Sequence, residues 1–539
     1  MQLTPKLIKS ESEIPHQFRW VNLANTAPSK HLGYESPPTG ADLIYPPIPV
    51  AKEAGDLKLA EVEYPYLGYL KPMTAVQALE LLDQARIAFD SGRGIWASAP
   101  YQKRIEAVLA FATDLERIEE QVALAIMWEI AKTWADSLAE VRRTVDYIRE
   151  TCKAYEQACI SEGTPIIEQG FFAKTRRVPL GITLCMGPFN YPLNETYTTL
   201  IPALLVGNSV LMKPAKIGIL LHNPILPLFE KHFPKGVVGL ILGDGKELIT
   251  PLMKSGFIDA LAFIGSSAVA NAITSQHPKP NRMRCILGLE AKNVGVILPE
   301  ADLAQTAKEC VQGALTFNGQ RCTALKMLFV HSSIHDRFVT LLAEQVEALT
   351  PGMPWEEKTQ ITPLAEPGKC AWLDSLIADA KATGATVVNP AVTPSIETLF
   401  HPTIVTDVGE AAKLSRVEQF GPVIPVRKFD DVMEVVHYVE KSNYGQQASV
   451  FGSSTEAAFL VDALSKLVAR VNINTQCRRG PDTFAFGGRK DSAAGTLSVR
   501  DALRCFSIRS VVSCKADKAQ SEQALVAQLV ASGNNFLKS

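Results

Sequence analysis

A cysteine follows a glycine-containing turn in Phe317-Asn318-Gly319-Gln320-Arg321-Cys322-Thr323-Ala324, at the end of an expected helix. A loop so placed can be held open toward a cleft, and a thiolate there would attack an aldehyde carbon, because sulfur is nucleophilic even when little of it is ionised. In Met186-Gly187-Pro188-Phe189-Asn190-Tyr191-Pro192 an amide side chain stands where a strand ends and a helix begins. Asn190 could there donate a hydrogen bond to a developing oxyanion. Lys213 and Lys216, in Leu211-Met212-Lys213-Pro214-Ala215-Lys216, mark a second strand-to-helix switch, the usual ligand position in open α/β sheets. Ala262-Phe263-Ile264-Gly265-Ser266-Ser267 is a third, where the free N–H groups of a helix start favour a pyrophosphate. Taken singly, each has an ordinary reading: a buried filler cysteine, a capping Asn before Pro192, surface lysines, a capped helix.

The elements that position these motifs are legible from periodicity. Apolar residues recur at helical spacing from Thr74 to about Ile160, through Leu79, Leu82, Ala85 and Phe89 and again from Ala107 to Trp128. Short apolar strands then alternate with helices: Gly181–Met186, Ser209–Met212, Val238–Leu242 and Ile258–Phe263. A second block has strands near Val294–Leu298, Lys326–Val330, Val423–Phe429, Ser449–Phe451 and Arg470–Ile473, with helices Ala301–Thr316, Ile334–Leu349 and Asp431–Lys441 between them. Such alternation implies two α/β domains built on parallel sheets. A strand pair is expected at Ile166–Val178, an irregular Pro- and Gly-rich arm over residues 1–70, and a polar, mobile tail after Lys515.

The bulk properties point to a small-molecule partner. At 539 residues the chain exceeds a single compact core. A formal charge of −2 without basic runs argues against nucleic acid or an anionic membrane surface. Ten irregularly spaced cysteines without a CxxC pair suit reduced thiols in the cytoplasm, not a disulfide or zinc framework. The segment Met1–Trp20 lacks the apolar core of a signal peptide, and Leu200–Met212 is too short and polar to span a bilayer.

With Glu418-Gln419-Phe420-Gly421-Pro422 and Phe486-Gly487-Gly488-Arg489-Lys490-Asp491-Ser492, these motifs resemble the aldehyde dehydrogenase superfamily, in its chain order, from roughly Pro72 to Val512. The resemblance implies an aldehyde dehydrogenase-like α/β fold, with a dinucleotide-binding domain over 71–160 and 179–289 and a catalytic domain over 290–492. A small β oligomerisation arm over 161–178 and 493–515 would build a homodimer or homotetramer. It further implies that Cys322 forms a thioester, that Asn190 and the Cys322 N–H hold the oxyanion, and that Phe189, Lys213, Lys216, Gly265, Ser266, Glu418 and Phe420 surround the dinucleotide. Gln320–Ala324 and Arg478-Arg479-Gly480-Pro481-Asp482-Thr483-Phe484-Ala485-Phe486 are similar to the NADP-dependent non-phosphorylating glyceraldehyde-3-phosphate dehydrogenases. In that subfamily the substrate phosphate is gripped by residues that map to Arg143, Tyr191, Arg321 and Arg479, types suited to bidentate phosphate binding. NAD-preferring relatives commonly carry a glutamate at the position of Lys216; a cation there favours NADP, with NAD still possible.

One departure bears on mechanism. Hydrolysis in the superfamily is usually assigned to a glutamate in Glu-Leu-Gly-Gly-Lys. Here the segment is Leu287-Gly288-Leu289-Glu290-Ala291-Lys292-Asn293, so Gly288 stands at that position and Glu290 two residues late. Either Glu290 is the base from a shifted loop, displaced by about 6–7 Å along an extended chain, or it is structural and the acyl group passes to an added thiol such as coenzyme A. A second departure, Ser492-Ala493-Ala494-Gly495 in place of Ser-Gly, is expected to affect packing near the oligomer interface. A dehydrogenase for another acidic aldehyde or semialdehyde remains an alternative, as does a non-catalytic protein that kept the fold, against which Cys322 and Asn190 argue.

Overall fold

The computed structural model describes residues 13–19, 32–33, 39–48, 50–51, 62–389, 398–515 and 519–531. Much of the expected N-terminal arm, and residues 516–518 and 532–539 of the expected tail, lie outside them. Where the arm is described it is not wholly irregular: Leu32–Gly33, Asp42–Ile44 and Gly68–Leu70 pair into an antiparallel sheet.

Four helices follow: α1 (Ala75–Phe89), α2 (Tyr101–Arg117), α3 (Glu119–Ile130) and α4 (Trp134–Gly163). Helix α1 starts where Thr74 and Gln77 form a reciprocal capping box. Strands β1 (Ile166–Glu168) and β2 (Phe171–Pro179) form a projecting hairpin. The chain then enters the first sheet through β3 (Ile182–Met186), α5 (Asn194–Leu205), β4 (Ser209–Lys213), β5 (Val238–Leu240), α6 (Gly245–Lys254), β6 (Ala260–Ile264), α7 (Ser267–Thr274) and β7 (Arg284–Gly288). Every residue of β3 and β4 is buried, as parallel strands covered on both faces require.

The second sheet collects β8 (Val294–Ile297), β9 (Met327–His331), β10 (Thr386–Val387), β11 (Thr403–Thr406), β12 (Val423–Phe429), β13 (Gln447–Phe451) and β14 (Arg470–Ile473). It also carries α8 (Leu303–Leu315), α9 (His335–Glu347), α10 (Lys369–Ala382), α11 (Val432–Lys441) and α12 (Thr455–Ser465). The chain ends with β15 (Ala493–Ala494), α13 (Val499–Cys505), β16 (Ser507–Lys515) and α14 (Ala519–Ala531). The strand orders are β5-β4-β3-β6-β7-β15 and β10-β11-β12-β9-β8-β13-β14, parallel except at β15 and β10. The α/β architecture expected from alternation is therefore present.

The stretch Leu200–Met212 divides between α5 and β4, because Gly207 turns the chain at φ +104°, and the strand expected at Ser209–Met212 is β4. Two expectations need correction. Residues 493–494, expected in the arm, instead extend the first sheet, Ala493 pairing with Gly288 and Ala494 with Leu287; the arm strand is β16, which pairs with β2 from Ser507↔Pro179 to Lys515↔Phe171. The tail contains a helix, α14, since Ala519–Ala531 has strong helix formers and no glycine or proline.

The turn between β3 and α5 is sterically closed. A Cβ on Gly187 would lie 1.8 Å from Thr196 Oγ1, whose hydroxyl donates to Pro192 O at 2.6 Å. Gly187→Ala is therefore expected to lower stability by about 1–3 kcal/mol through overpacking, read as an earlier denaturation midpoint. An unchanged midpoint would show that the turn yields freely.

Candidate active site

Past α8 the backbone adopts left-handed conformations at Phe317 (φ 49°), Asn318 (φ 55°) and Gly319 (φ 70°) in succession. Non-glycine residues resist this region by about 1–3 kcal/mol each, so the surroundings must enforce it. Asn318 does so, donating through Nδ2 to Thr362 O at 2.9 Å and accepting the Thr362 N–H at 3.0 Å. The turn delivers Cys322 to a cleft of about 760 Å³ between the C-terminal edge of the first sheet and the N-terminal edge of the second. Asn293 fixes the following backbone, donating to Cys322 O at 2.8 Å and Ala324 O at 3.0 Å.

Asn190 is buried beside this turn and donates through Nδ2 to Gln320 O at 2.7 Å. Its backbone is held by Lys132, whose Nζ donates to Asn190 O at 2.8 Å and to Glu140 Oε2 at 2.5 Å and lies 3.6 Å from the centre of the Tyr191 ring. Glu140 Oε1 accepts the N–H groups of Leu193 and Asn194, both at 3.0 Å, at the start of α5. Sequence reading missed this pair, because Lys132 on one loop and Glu140 on α4 meet only after the chain folds.

Burial pushes the Cys322 thiol above its usual range; the Glu195 carboxylate adds to this and Lys326 and Arg479 oppose it. Glu195 lies on the first turn of α5, a helix whose every residue is buried. Sequence reading passed over it, although a carboxylate in so apolar a helix, five residues after Asn190, was a visible signal. Burial raises its carboxyl too, against Arg479 and Arg143.

Of the residues expected around the dinucleotide, Phe189, Gly265, Ser266, Glu418 and Phe420 line the cleft. Ser266 caps α7, accepting the Val269 N–H, and the Gly265 N–H donates to Gly288 O at 3.0 Å. Phe189 and Phe420 meet edge to face, their centroids 5.9 Å apart. Glu418 is buried against Lys326 and accepts the Ala291 N–H at 3.2 Å; burial raises its carboxyl and Lys326 counters this. The two lysines do not line the cleft. Lys213 is buried, its ammonium depressed by burial and partly restored by Asp244, and donates to Pro214 O at 3.2 Å. Lys216 is exposed, its Nζ 3.4 Å from Asp42 of the N-terminal arm. Glu290 lines the cleft, but its Oε2 accepts the Ser267 N–H at 2.7 Å. The expected base thus sits at the start of α7, where a helix dipole attracts a carboxylate.

The four expected phosphate ligands also line the cleft. Arg479 is buried and donates to Glu195 Oε2 at 2.8 Å, with Asp482 3.5 Å from its Nε. Arg143 makes a bidentate pair with Asp482 at 2.7 and 3.0 Å. Arg321 donates to Gly313 O at 2.9 Å and Gln312 O at 3.2 Å. Tyr191 stacks edge-on against Phe317, centroids 6.2 Å apart. Among the described residues no cluster of three or more His, Cys, Asp or Glu could hold a metal ion, and no helix is long and apolar enough to cross a membrane.

The thiol's raised position has a sign that labelling can read. Cys322 is mostly protonated at neutral pH, so alkylation by iodoacetamide in the cofactor-free protein should rise about tenfold per pH unit from pH 7 to 8.5. Peptide mapping at Cys322 follows the rate. A plateau already below pH 7.5 would mean that the thiolate is formed at neutrality.

The aldehyde dehydrogenase family matches residues 60–512 of the chain. Among curated proteins, the NADP-dependent glyceraldehyde-3-phosphate dehydrogenase of Streptococcus equinus is 32% identical over 474 residues, covering 86% of this chain and 96% of its own. The enzyme of that name from Pisum sativum is 30% identical over 444 residues, 80% of this chain and 88% of its own. Among solved structures, the NADP-dependent glyceraldehyde-3-phosphate dehydrogenase of Bacillus halodurans C-125, complexed with NADP, superposes with a TM-score of 0.80 at 30% identity, over 88% of this chain and 96% of that one. The family match over most of the length, and relatives at 30% identity or more over four-fifths of it, establish that the chain belongs to the aldehyde dehydrogenase family.

Proposed function

We propose that the protein oxidises glyceraldehyde-3-phosphate to 3-phosphoglycerate with NADP, through a thioester on Cys322. The observation that carries this reading is the convergence of Arg143, Tyr191, Arg321 and Arg479 on the cleft that holds Cys322. A guanidinium and phenol set of this kind suits a phosphate, and the carboxylates on Arg143 and Arg479 are partners that a dianion would compete with. The names of the relatives point the same way.

Cys322 adds to the aldehyde carbon, and the Asn190 amide, leaving Gln320 O, stabilises the oxyanion with the Cys322 N–H. The dinucleotide, when bound, supplies the hydride acceptor. Ser266 and the free N–H groups of α7 suit its pyrophosphate once Glu290 yields Ser267, and Glu418 and Phe420 suit the nicotinamide end. Lys216 supports NADP over NAD: its pair with Asp42 is solvent-exposed and weak, leaving a cation for a 2′-phosphate. Exposed Ile166, Ile167, Phe171, Ile508, Val511 and Val512 on the β1–β2–β16 arm support a homodimer or homotetramer joined there.

Gly288 favours a second reading, release of the acyl group to a thiol such as coenzyme A. NADPH formation with glyceraldehyde-3-phosphate in phosphate-free buffer separates the two: turnover without coenzyme A supports hydrolysis, and a burst that stalls until coenzyme A is added supports acyl transfer. Arg479→Leu should raise KM for the phosphorylated aldehyde about 10–100-fold, the value of a charged hydrogen bond, and change that for an uncharged aldehyde little. Equal effects on both would remove the phosphate assignment.

A further inference from the structure

Four carboxylates line the cleft: Glu195, Glu290, Glu366 and Glu418. Three are committed to other partners. Glu290 holds the Ser267 N–H, Glu418 is locked against Lys326 and the Ala291 N–H, and Glu366 is half-exposed and pairs with Lys369 at 3.3 Å. Glu195 is buried, uses Oε2 on Arg479, and has no described hydrogen-bond donor on its other oxygen. It stands on the same turn-to-helix segment as Asn190, its N–H donating to Tyr191 O at 3.1 Å, so the oxyanion amide and this carboxylate move as one unit. Among carboxylates it acts most strongly on Cys322, ahead of Glu418.

Resting on the reading of Cys322 as an acylated nucleophile, we propose that Glu195 is the base that activates water to hydrolyse the thioester, in place of the glutamate absent at Gly288. The water oxygen adds to the thioester carbon while its proton passes to the Glu195 carboxylate. The carbon–sulfur bond then breaks, its electron pair returns to Sγ, and Glu195 gives the proton to sulfur or to solvent. No co-reactant or change of oxidation state is involved. Gly288 is not imposed by space: a Cβ there would meet Ile264 Cγ1 at 3.4 Å and Leu497 Cδ1 at 3.8 Å, ordinary contacts. The missing side chain is a chemical vacancy that a carboxylate from another element can fill.

The test compares rapid-mixing NADPH formation by the full-length protein, Glu195→Gln, Glu290→Gln and Glu195→Gln/Gly288→Glu. Glu195→Gln should keep a burst of about one equivalent while its steady rate falls about 10²–10⁴-fold, the range of general-base catalysis. Hydroxylamine, which attacks a thioester unaided, should relieve the stall, Glu290→Gln should alter the KM for the dinucleotide without a stall after the burst, and Gly288→Glu should restore part of the lost rate. Unchanged turnover in Glu195→Gln, or a rise in KM alone, overturns the proposal and leaves Glu195 as a positioning residue for Arg479. If Glu195→Gln does not fold, Glu195→Asp takes its place, and a burst with a normal steady rate in Glu195→Asp together with a stall in Glu290→Gln overturns it equally. Absence of any burst in the unmodified protein with every aldehyde tried would instead remove the function on which it rests.

Discussion

The site is built on the buried ion pair between Lys132 and Glu140. Glu140 holds the two N–H groups that open α5, and Lys132 holds the carbonyl of Asn190. Both charges lie almost wholly out of water, where loss of one partner typically costs about 3–5 kcal/mol because the other is stranded. An apolar replacement would leave the Asn190 carbonyl and the Leu193 and Asn194 N–H groups unpaired, so the pair positions backbone as well as balancing charge. It sets the height of Asn190 against Cys322 and places Tyr191 over an ammonium group.

How much of this was legible in the sequence differs by level. Strands β12 and β14 were readable to the residue, since β-branched residues (Val423, Ile424 and Val426; Val471 and Ile473) mark them between turn residues. Helices α10 and α12 were passed over; α10 carries its buried Cys370, Leu373 and Leu376 among a charged and mixed exterior that blurs the period. Cys322 and Asn190 stand in motifs beside turns, and the arginines came from the family resemblance, Arg143 lying mid-α4; all of them line the cleft. Glu290 and Lys216 were placed by counting from a motif, and counting cannot show which way a side chain leaves the backbone. The left-handed run at Phe317–Gly319 was likewise invisible, because only a partner from distant Thr362 makes it tolerable.

Charge in the cleft is arranged in opposition. Arg143 and Arg479 face Asp482 and Glu195, so these two guanidinium groups are balanced before an anion arrives. Such pairing avoids stranding buried charge in the empty protein, and a bound phosphate would draw guanidinium groups from their carboxylates. Glu195, losing Arg479, would become more basic at the moment a substrate is present. Recognition and proton transfer are then linked through one arginine.

The pairing of β15 with β7 has a further consequence. Ala493 lies across from Gly288 at the wall of the cleft, and the same stretch of chain continues through α13 into β16 of the projecting arm. The second departure from the family pattern therefore adjoins the first. Cleft wall and projecting arm are threaded on a single run of backbone, so whatever fixes the arm in place also fixes the strand edge beside Gly288.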